Sequence, residues 1–440
     1  MSRDRHRSVC GSADHRLARR QFLKGSALGV LGAGAMGVNL GGIGASYNPT
    51  FATELRRRTK QVLLLWLAGG SSQFETWDPK PGRPTGGPFK SIPTAVPGVH
   101  ICELMPKMAR WTNELAIVRS LDTGNGDHAG AANLVLTARG KDPSLEYPDI
   151  GTIISKELGQ RGRSVPDYVS LYLAREGRAN AVPDPGFLGA RYSAMVLDES
   201  LKPQNLDLPK GLSAAEHQER EHLRRYLSEL FDRDRKAPLV TGYNNTYARV
   251  RGLMQCDSLF DLDAEPPHVR EAYGKTDFGQ HALIGRRLIE AGVPMVKVAR
   301  AWWDSHAENF ESHRELVTEL DHVMSTLLAD LKQRGLLDST LVITLSEFGR
   351  TPKINKSVGR DHFADAWSCT LAGAGILGGT VHGKSDKDGH TVAEGKVNAG
   401  DVAATIFRAV GIDPHAVYLV GDRPVPFVDE KAKAIRTILA

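Results

Sequence analysis

The sequence predicts an α/β fold in which a mostly parallel sheet is sandwiched between helices. Two observations predict it. Short, continuously apolar segments rich in branched residues alternate with segments of helical periodicity, and polar residues capable of chemistry directly follow several of the apolar segments. Strands that are buried on both faces appear in a sequence as unbroken apolar runs, because the helices that connect parallel strands cover both sides of the sheet.

The individual elements follow from these patterns. Strands are predicted at residues 62–68, 115–121, 168–174, 293–302 and 340–345. Helices are predicted at residues 104–112, 129–137, 150–158, 278–291, 314–334 and 402–410.

Two stretches interrupt the alternation. Residues 78–98 form a loop rich in proline and glycine, and residues 200–240 form a polar insertion with a charged, helical pattern. The charges of the insertion are typical of a solvated helix face stabilised by pairs four residues apart. Long insertions also carry function, so a lid over a site is the second interpretation.

Composition and charge exclude one class of partner. The chain has 440 residues, of which 41% are hydrophobic, and its formal net charge is +5. The residues before position 25 carry this entire excess, so the rest of the chain is close to neutral. No basic stripe with interleaved aromatic residues is present, and we therefore expect no nucleic acid partner.

The basic N-terminal segment has the features of an export signal. Arg19 and Arg20 precede a weakly apolar, glycine-rich run that ends in small residues near Ala45. We interpret residues 1–46 as a twin-arginine signal and residues 47–440 as one α/β domain. A membrane anchor is the alternative, but eight glycines in this run make a poor spanning helix.

This interpretation predicts a location and a partner. The protein is expected to be exported by the twin-arginine machinery to the periplasm or the extracellular space, tethered to the membrane if the signal is not cleaved. No transmembrane helix is expected in the mature chain, because no later apolar run is long enough to span a bilayer.

Candidate metal ligands follow the predicted strands. Asp304 and His306 form a D-x-H pair after one strand, Glu347 follows the next, and His362 lies in the loop beyond it. In a parallel sheet the carboxyl ends of the strands meet at one edge, where sites form. Carboxylates and imidazoles bind zinc, manganese or iron, so we expect a divalent metal ion there. Asp361 is expected to orient an imidazole. The alternatives are that Asp304 caps the following helix and that the nearby His313 is a surface residue.

A second group of candidates is expected to act on the substrate. His128 lies where a helix begins, next to the helix N–H groups that attract anions, and it could be a ligand, an acid or base, or a nucleophile. Asp127 is included with it, although a helix cap that holds a hydrogen-bonded histidine is an equally good interpretation. Arg350 and Arg360 could bind an anionic oxygen or could form structural ion pairs.

Several motifs also carry a family resemblance. The segments "LAGGSSQFETWDPKPG", "GFLGARY", "LSEFGRTPKIN" and "GRDHFADAWSCTLAGAGILGG", together with the twin-arginine leader, resemble the family numbered 1501 among domains of unknown function. The resemblance extends from about Val62 to Pro414. That family is similar in fold to the alkaline phosphatase and sulfatase superfamily. The resemblance therefore implies an alkaline phosphatase/sulfatase-like core with a site for metal-assisted ester hydrolysis.

The superfamily pattern is only partly present. The place of its first metal-binding aspartate is Ala68, and His128 occupies the place of its nucleophile. Its later acidic pair is reduced to Glu347, and its sulfatase cysteine motif is absent. We therefore expect an exported, metal-dependent hydrolase of phosphate or sulfate esters, with an anionic ester as its substrate. The alternative is a non-catalytic exported binding protein that retains the fold.

Overall fold

The structure is a computed structural model. It describes residues 60–159, 165–171, 184–197, 208–235, 244, 247 and 257–440. The interpreted twin-arginine signal and both ends of the polar insertion lie outside the described residues.

A central sheet of eight strands organises the described part of the chain. Its strands lie in the order β12, β4, β11, β8, β1, β7, β5, β6. The strands of the described residues are β1 Gln61–Leu67, β2 Ser91–Pro93, β3 His100–Cys102, β4 Leu115–Leu121, β5 Tyr168–Leu171, β6 Met195–Leu197, β7 Met295–Arg300, β8 Thr340–Leu345, β9 Gly349–Ile354, β10 Arg360–Phe363, β11 Trp367–Gly373, β12 Thr380–His382, β13 Lys384–Ser385, β14 Val392–Glu394, β15 Val417–Val420 and β16 Arg423–Pro426.

Helices flank this sheet. In the described residues they are α1 Pro106–Trp111, α2 His128–Thr137, α3 Ile150–Leu158, α4 Ala214–Arg235, α5 Pro267–Tyr273, α6 Asp277–Glu290, α7 Asn309–Gln333 and α8 Ala399–Ala409. Among them, none combines the length and apolar character that crossing a membrane requires.

Strand β1 shows why the apolar runs have no alternation. It pairs in parallel with β7 on one side and with β8 on the other, and all seven of its residues are buried. Val62, Leu64 and Trp66 belong to one hydrophobic core, whereas Leu63 and Leu65 belong to the core on the opposite face. Both faces of the strand are therefore apolar because helices cover both faces of the sheet.

The predicted fold class is confirmed. A mostly parallel sheet lies between helices, and the strands predicted at 115–121 and 340–345 have their expected bounds. One central strand, β11, was not predicted. It runs antiparallel to β4 and β8, and it follows the β9–β10 hairpin, whose second strand contains His362 where the sequence predicted a loop.

Other boundaries differ by a few residues. Strand β7 covers 295–300 instead of 293–302, and α7 begins at Asn309 rather than at residue 314. The predicted strand at 168–174 is described only as far as Leu171. The helix expected in the polar insertion is present as α4.

Candidate metal centre

The candidate site lies at the carboxyl edge of the central sheet. Strand β4 leads to His128 at the start of α2, β7 leads to Asp304, and β8 leads to Glu347. The β9–β10 hairpin then brings His362 back to the same edge. These strands point the same way, so residues far apart in sequence meet there, as the sequence predicted.

Asp304 lies at the centre of the group. Its Oδ1 is 3.1 Å from the Nε2 atoms of both His306 and His362 and 2.7 Å from a guanidinium nitrogen of Arg350, and its Oδ2 is 3.2 Å from His128 Nε2. Burial favours the protonated acid, but hydrogen bonds with His128, His362 and Arg350 outweigh it and hold the pKa of Asp304 far below its usual range. Asp304 is therefore a carboxylate at any working pH.

Second partners fix the orientation of His306 and His362. His306 Nδ1 lies 2.8 Å from a carboxylate oxygen of Asp361, and His362 Nδ1 lies 2.7 Å from the carbonyl oxygen of Gly126. Both of these partners can only accept hydrogen bonds, so each Nδ1 carries a proton. The Nε2 atoms of both rings then point away from these partners, toward Asp304. Asp361 thus makes the contact that the sequence predicted for it.

The two Nε2 atoms and Asp304 Oδ1 form a triangle suited to a cation. The Nε2 atoms are 3.0 Å apart, and each lies 3.1 Å from Oδ1. Three nitrogen and oxygen ligand atoms at this separation need either a shared proton or a metal cation between them. Ligands bound to zinc at about 2.0–2.1 Å in a tetrahedron are themselves roughly 3.3 Å apart. The donor set and its spacing therefore fit zinc, manganese or iron.

His128 closes the site on the other side of Asp304. Ligand atoms of His128, Asp304 and His362 all lie within 4.8 Å of one another. Glu347 Oε1 is 3.0 Å from His128 Nδ1 and also accepts the Gly69 N–H at 2.8 Å. Burial lowers the pKa of His128, but its hydrogen bonds with Asp304 and Glu347 prevail and raise it to about 9. In this arrangement His128 is an imidazolium at neutral pH.

Arg350 is completely buried behind Asp304. Its guanidinium donates to the carbonyl oxygens of Gly69, Gly70 and Arg360 as well as to the carboxylate. Burial lowers its pKa from the usual 12.5, with the Asp304 contact opposing that shift. These contacts hold the Arg350 guanidinium in place, and its hydrogen bond positions the Asp304 carboxylate. Its expected contact with a substrate anion stays a prediction.

Asp127 caps the helix that begins with His128. Its side chain accepts the Gly130 N–H at 2.7 Å, which is the usual role of an aspartate at a helix N-cap. The cap fixes the start of α2 and thereby the position of His128. A catalytic role for Asp127 stays a prediction.

Two features of the site were not recognised in the sequence. Gly69 and Gly70 have φ angles of 114° and 94°, and a Cβ at Gly69 would lie 2.5 Å from the Asp304 nitrogen. Only glycine permits this close approach.

The expectation that His313 is a surface residue was wrong. His313 is buried, and its Nε2 accepts the Ser72 N–H at 3.1 Å.

The sequence does contain a pattern that predicts the burial of His313. It lies three residues after Phe310 and four before Val317, which is the spacing of one helix face. Phe310 and Val317 are buried with it on α7. Burial lowers the pKa of His313 to about 4, so this imidazole is neutral and serves the packing of the loop that follows β1.

Comparisons with known proteins place the chain in a family. The family described as "Protein of unknown function (DUF1501)" matches residues 59–439. A search of curated protein sequences gave no match.

Several solved structures are similar to the chain. The lipoteichoic acid synthase LtaP from Listeria monocytogenes is 11% identical, with 87% of this chain and 76% of that chain covered and a TM-score of 0.39. The PsFucS1 sulfatase from Pseudoalteromonas sp. is 14% identical, with 82% and 70% covered and a TM-score of 0.39. The phosphonate monoester hydrolase SpPMH from Silicibacter pomeroyi is 11% identical, with 86% and 76% covered and a TM-score of 0.36. Similarity at this level carries no information about substrate, metal or mechanism.

Proposed function

The chain belongs to the DUF1501 family of proteins of unknown function, and we propose that it is an exported, metal-dependent hydrolase of phosphate or sulfate esters. One observation carries the proposal. Asp304 Oδ1 and the Nε2 atoms of His306 and His362 converge with separations of 3.0–3.1 Å, at the edge of the sheet where sites form. Three ligand atoms that converge at close to the spacing of a zinc coordination shell support a metal site at these three residues.

Each residue of the site has a separate role in the proposal. Asp304, His306 and His362 hold the ion, Asp361 orients the His306 ring, and Arg350 positions Asp304. A divalent ion held there would supply Lewis-acid polarisation of the ester oxygens. Glu347, predicted from the sequence as a further ligand, is assigned to His128 in this scheme because its Oε1 contacts the ring at 3.0 Å.

His128 is proposed as the proton donor. The carboxylates of Asp304 and Glu347 stabilise its imidazolium form, and the leaving oxygen takes up this proton as an attacking water displaces it from phosphorus or sulfur. The ring is held on both nitrogens, by Glu347 and by Asp304, which fixes its direction. The site also lies at the N-terminal end of α2, where the helix favours anionic groups such as phosphate or sulfate.

Metal content and turnover together test this function. Purified protein is assayed with aryl phosphate and aryl sulfate esters, before and after chelation, and its bound metal is measured. The proposal predicts about one bound divalent ion and turnover that chelation abolishes. His128→Gln should retain the metal and lose turnover, whereas His362→Gln should lose both. His382→Gln, which changes a histidine on β12 outside the site, is the control.

Each result that contradicts the proposed function rejects a different part of it. Bound metal with no turnover on either ester class would reject the hydrolase and favour the binding protein that retains the fold. Turnover that survives complete removal of the metal would reject the metal-dependent mechanism. Loss of the metal in His128→Gln would assign His128 to the ligand set rather than to proton transfer.

Export is the remaining part of the proposed function. The twin-arginine pattern at Arg19 and Arg20 supports it, because this route carries proteins that have already folded. An Arg19→Lys, Arg20→Lys variant should accumulate in the cytoplasm, while the unchanged chain should reach the periplasm or the medium. Equal export of both chains would reject this part of the proposal.

A further inference from the structure

Helix α4 has its apolar side turned to the solvent. The side chains of Leu223, Tyr226, Leu227, Leu230 and Phe231 are between 38% and 56% exposed. Their spacing of three and four residues places them in one stripe along a helix of 22 residues. A row of five large apolar side chains on one helix is far more than the scattered exposure of ordinary surfaces, and such a patch is typical of an interaction surface.

The opposite side of the same helix faces the protein and is polar. Glu221 is buried and forms an ion pair of 2.7 Å with Arg224. Arg224 also donates to Asn244 at 2.6 Å, and its guanidinium lies 4.2 Å from the ring centre of Tyr247. These contacts fix the orientation of α4 on the protein. The helix therefore cannot bury its apolar stripe by rotating without breaking them.

The charges beside the stripe indicate what covers it. Glu219, Tyr226 and Arg233 are seven residues apart, so they form a straight row along one edge of the stripe. All three side chains are exposed. The row has an acid at one end, an aromatic residue at its centre and a base at the other end.

The row formed by Glu219, Tyr226 and Arg233 is complementary in charge to the same row of a second copy that runs in the opposite direction. When two copies of the helix lie antiparallel about a two-fold axis near Tyr226, the same edge of each helix meets, and the order of residues along it is reversed. Glu219 of each copy then faces the Arg233 position of the other, and Tyr226 faces its equivalent. Leu223 and Leu230 of the two copies meet in the centre. A parallel pair would bring opposite edges of the two helices together, so Glu219 would not face Arg233 of the other copy.

We propose that α4 is a homodimerisation surface on which a second copy of this chain binds in antiparallel orientation. The apolar stripe supplies the buried area, and the Glu219 and Arg233 positions select the antiparallel arrangement. Because one helix from each copy forms the contact, the interface is small, and we expect a dimer with a dissociation constant on the order of micromolar.

Charge reversal with rescue tests the proposal. The mass of the full chain is measured by sedimentation velocity at protein concentrations that span the micromolar range. Glu219→Arg and Arg233→Glu should each weaken the dimer about tenfold or more, because each places like charges together twice. The double variant carrying both changes should restore it. Arg225→Glu, which makes the same charge change as Arg233→Glu on another side of α4, should leave dimerisation unchanged.

A cross-linking measurement identifies the axis. Tyr226→Cys should form a disulfide-linked dimer on mild oxidation, because the two Tyr226 positions face each other, whereas Arg225→Cys should not. A chain that remains monomeric at every concentration would overturn the proposal, as would a dimer that neither Glu219→Arg nor Arg233→Glu weakens. If the stripe of the monomer binds lipid vesicles, or if another segment of the same chain covers the stripe, the chain should remain monomeric in this measurement.

Discussion

Replacing Lys297 by methionine should stabilise the protein at neutral pH, by an amount that depends on pH. Lys297 lies on β7 and is fully buried, with its ammonium 5.2 Å from the ring centre of Trp66. Burial lowers its pKa from 10.5 to about 8, although the carboxylates of Asp149 and Glu347 oppose the shift. At about 1.4 kcal/mol for each tenfold change in proton affinity, the charged form is disfavoured by about 3 kcal/mol.

The sign of the pH dependence follows from proton binding. Between pH 8 and pH 10.5 the unfolded chain holds a proton on Lys297 that the folded chain has lost. The wild-type free energy of unfolding therefore gains a contribution from this group as the pH rises through that range. Lys297→Met lacks this contribution. Its advantage over the wild type should be up to about 3 kcal/mol at pH 7, a figure that already includes the attraction to Asp149 and Glu347, and should disappear near pH 10.5.

Urea unfolding of chelated protein at several pH values measures this difference. The comparison of the two proteins cancels the titration of groups that do not interact with Lys297. Lys332→Met is a matched control, because Lys332 is 55% exposed at the end of α7 and should change stability by less than about 0.5 kcal/mol at every pH. A difference between Lys297→Met and the wild type that is the same at pH 7 and pH 10.5 would refute the reasoning. So would a variant that is less stable at pH 7.

Two further variants test how the site is held. Gly69→Ala should destabilise the protein by several kcal/mol, because its Cβ would lie 2.5 Å from the Asp304 nitrogen. Gly98 also has a positive φ, but a Cβ added there would meet open space, so Gly98→Ala should lower the free energy of unfolding by only about 1 kcal/mol. Equal losses of stability for the two variants in thermal unfolding would contradict the steric argument. Glu75→Gln should cost about 3 kcal/mol, because it leaves the Arg360 guanidinium, whose Nη2 is 2.9 Å from Glu75 Oε1, buried without a countercharge. Denaturation that shows a loss below about 1 kcal/mol would reject that estimate.

The sequence predicted the parallel core because that core depends on local composition. Strands such as β1 are buried on both faces, so they appear as unbroken apolar runs without any knowledge of their neighbours. The same logic brought Asp304, Glu347 and His128 to one edge, because each of them follows a strand of the same direction. These residues do lie together, and their assigned roles stay predictions.

The parts that were missed depend on contacts between distant segments. Strand β11 was not recognised, because pairing with β4 and β8 defines it more than its short run of small and polar residues. Arg350 looked like an anion-binding residue, yet its acceptors include the carbonyl oxygens of Gly69 and Gly70, far away in the chain. No local pattern encodes such a set of acceptors.

Anomalous diffraction from crystals soaked in zinc tests the central claim most directly. The account predicts one strong peak at about 2.0–2.1 Å from the Nε2 atoms of His306 and His362 and from an Asp304 oxygen. The peak should be absent in crystals of Asp304→Asn. A map of the unchanged protein with no peak between these three side chains, at saturating zinc, would contradict the account.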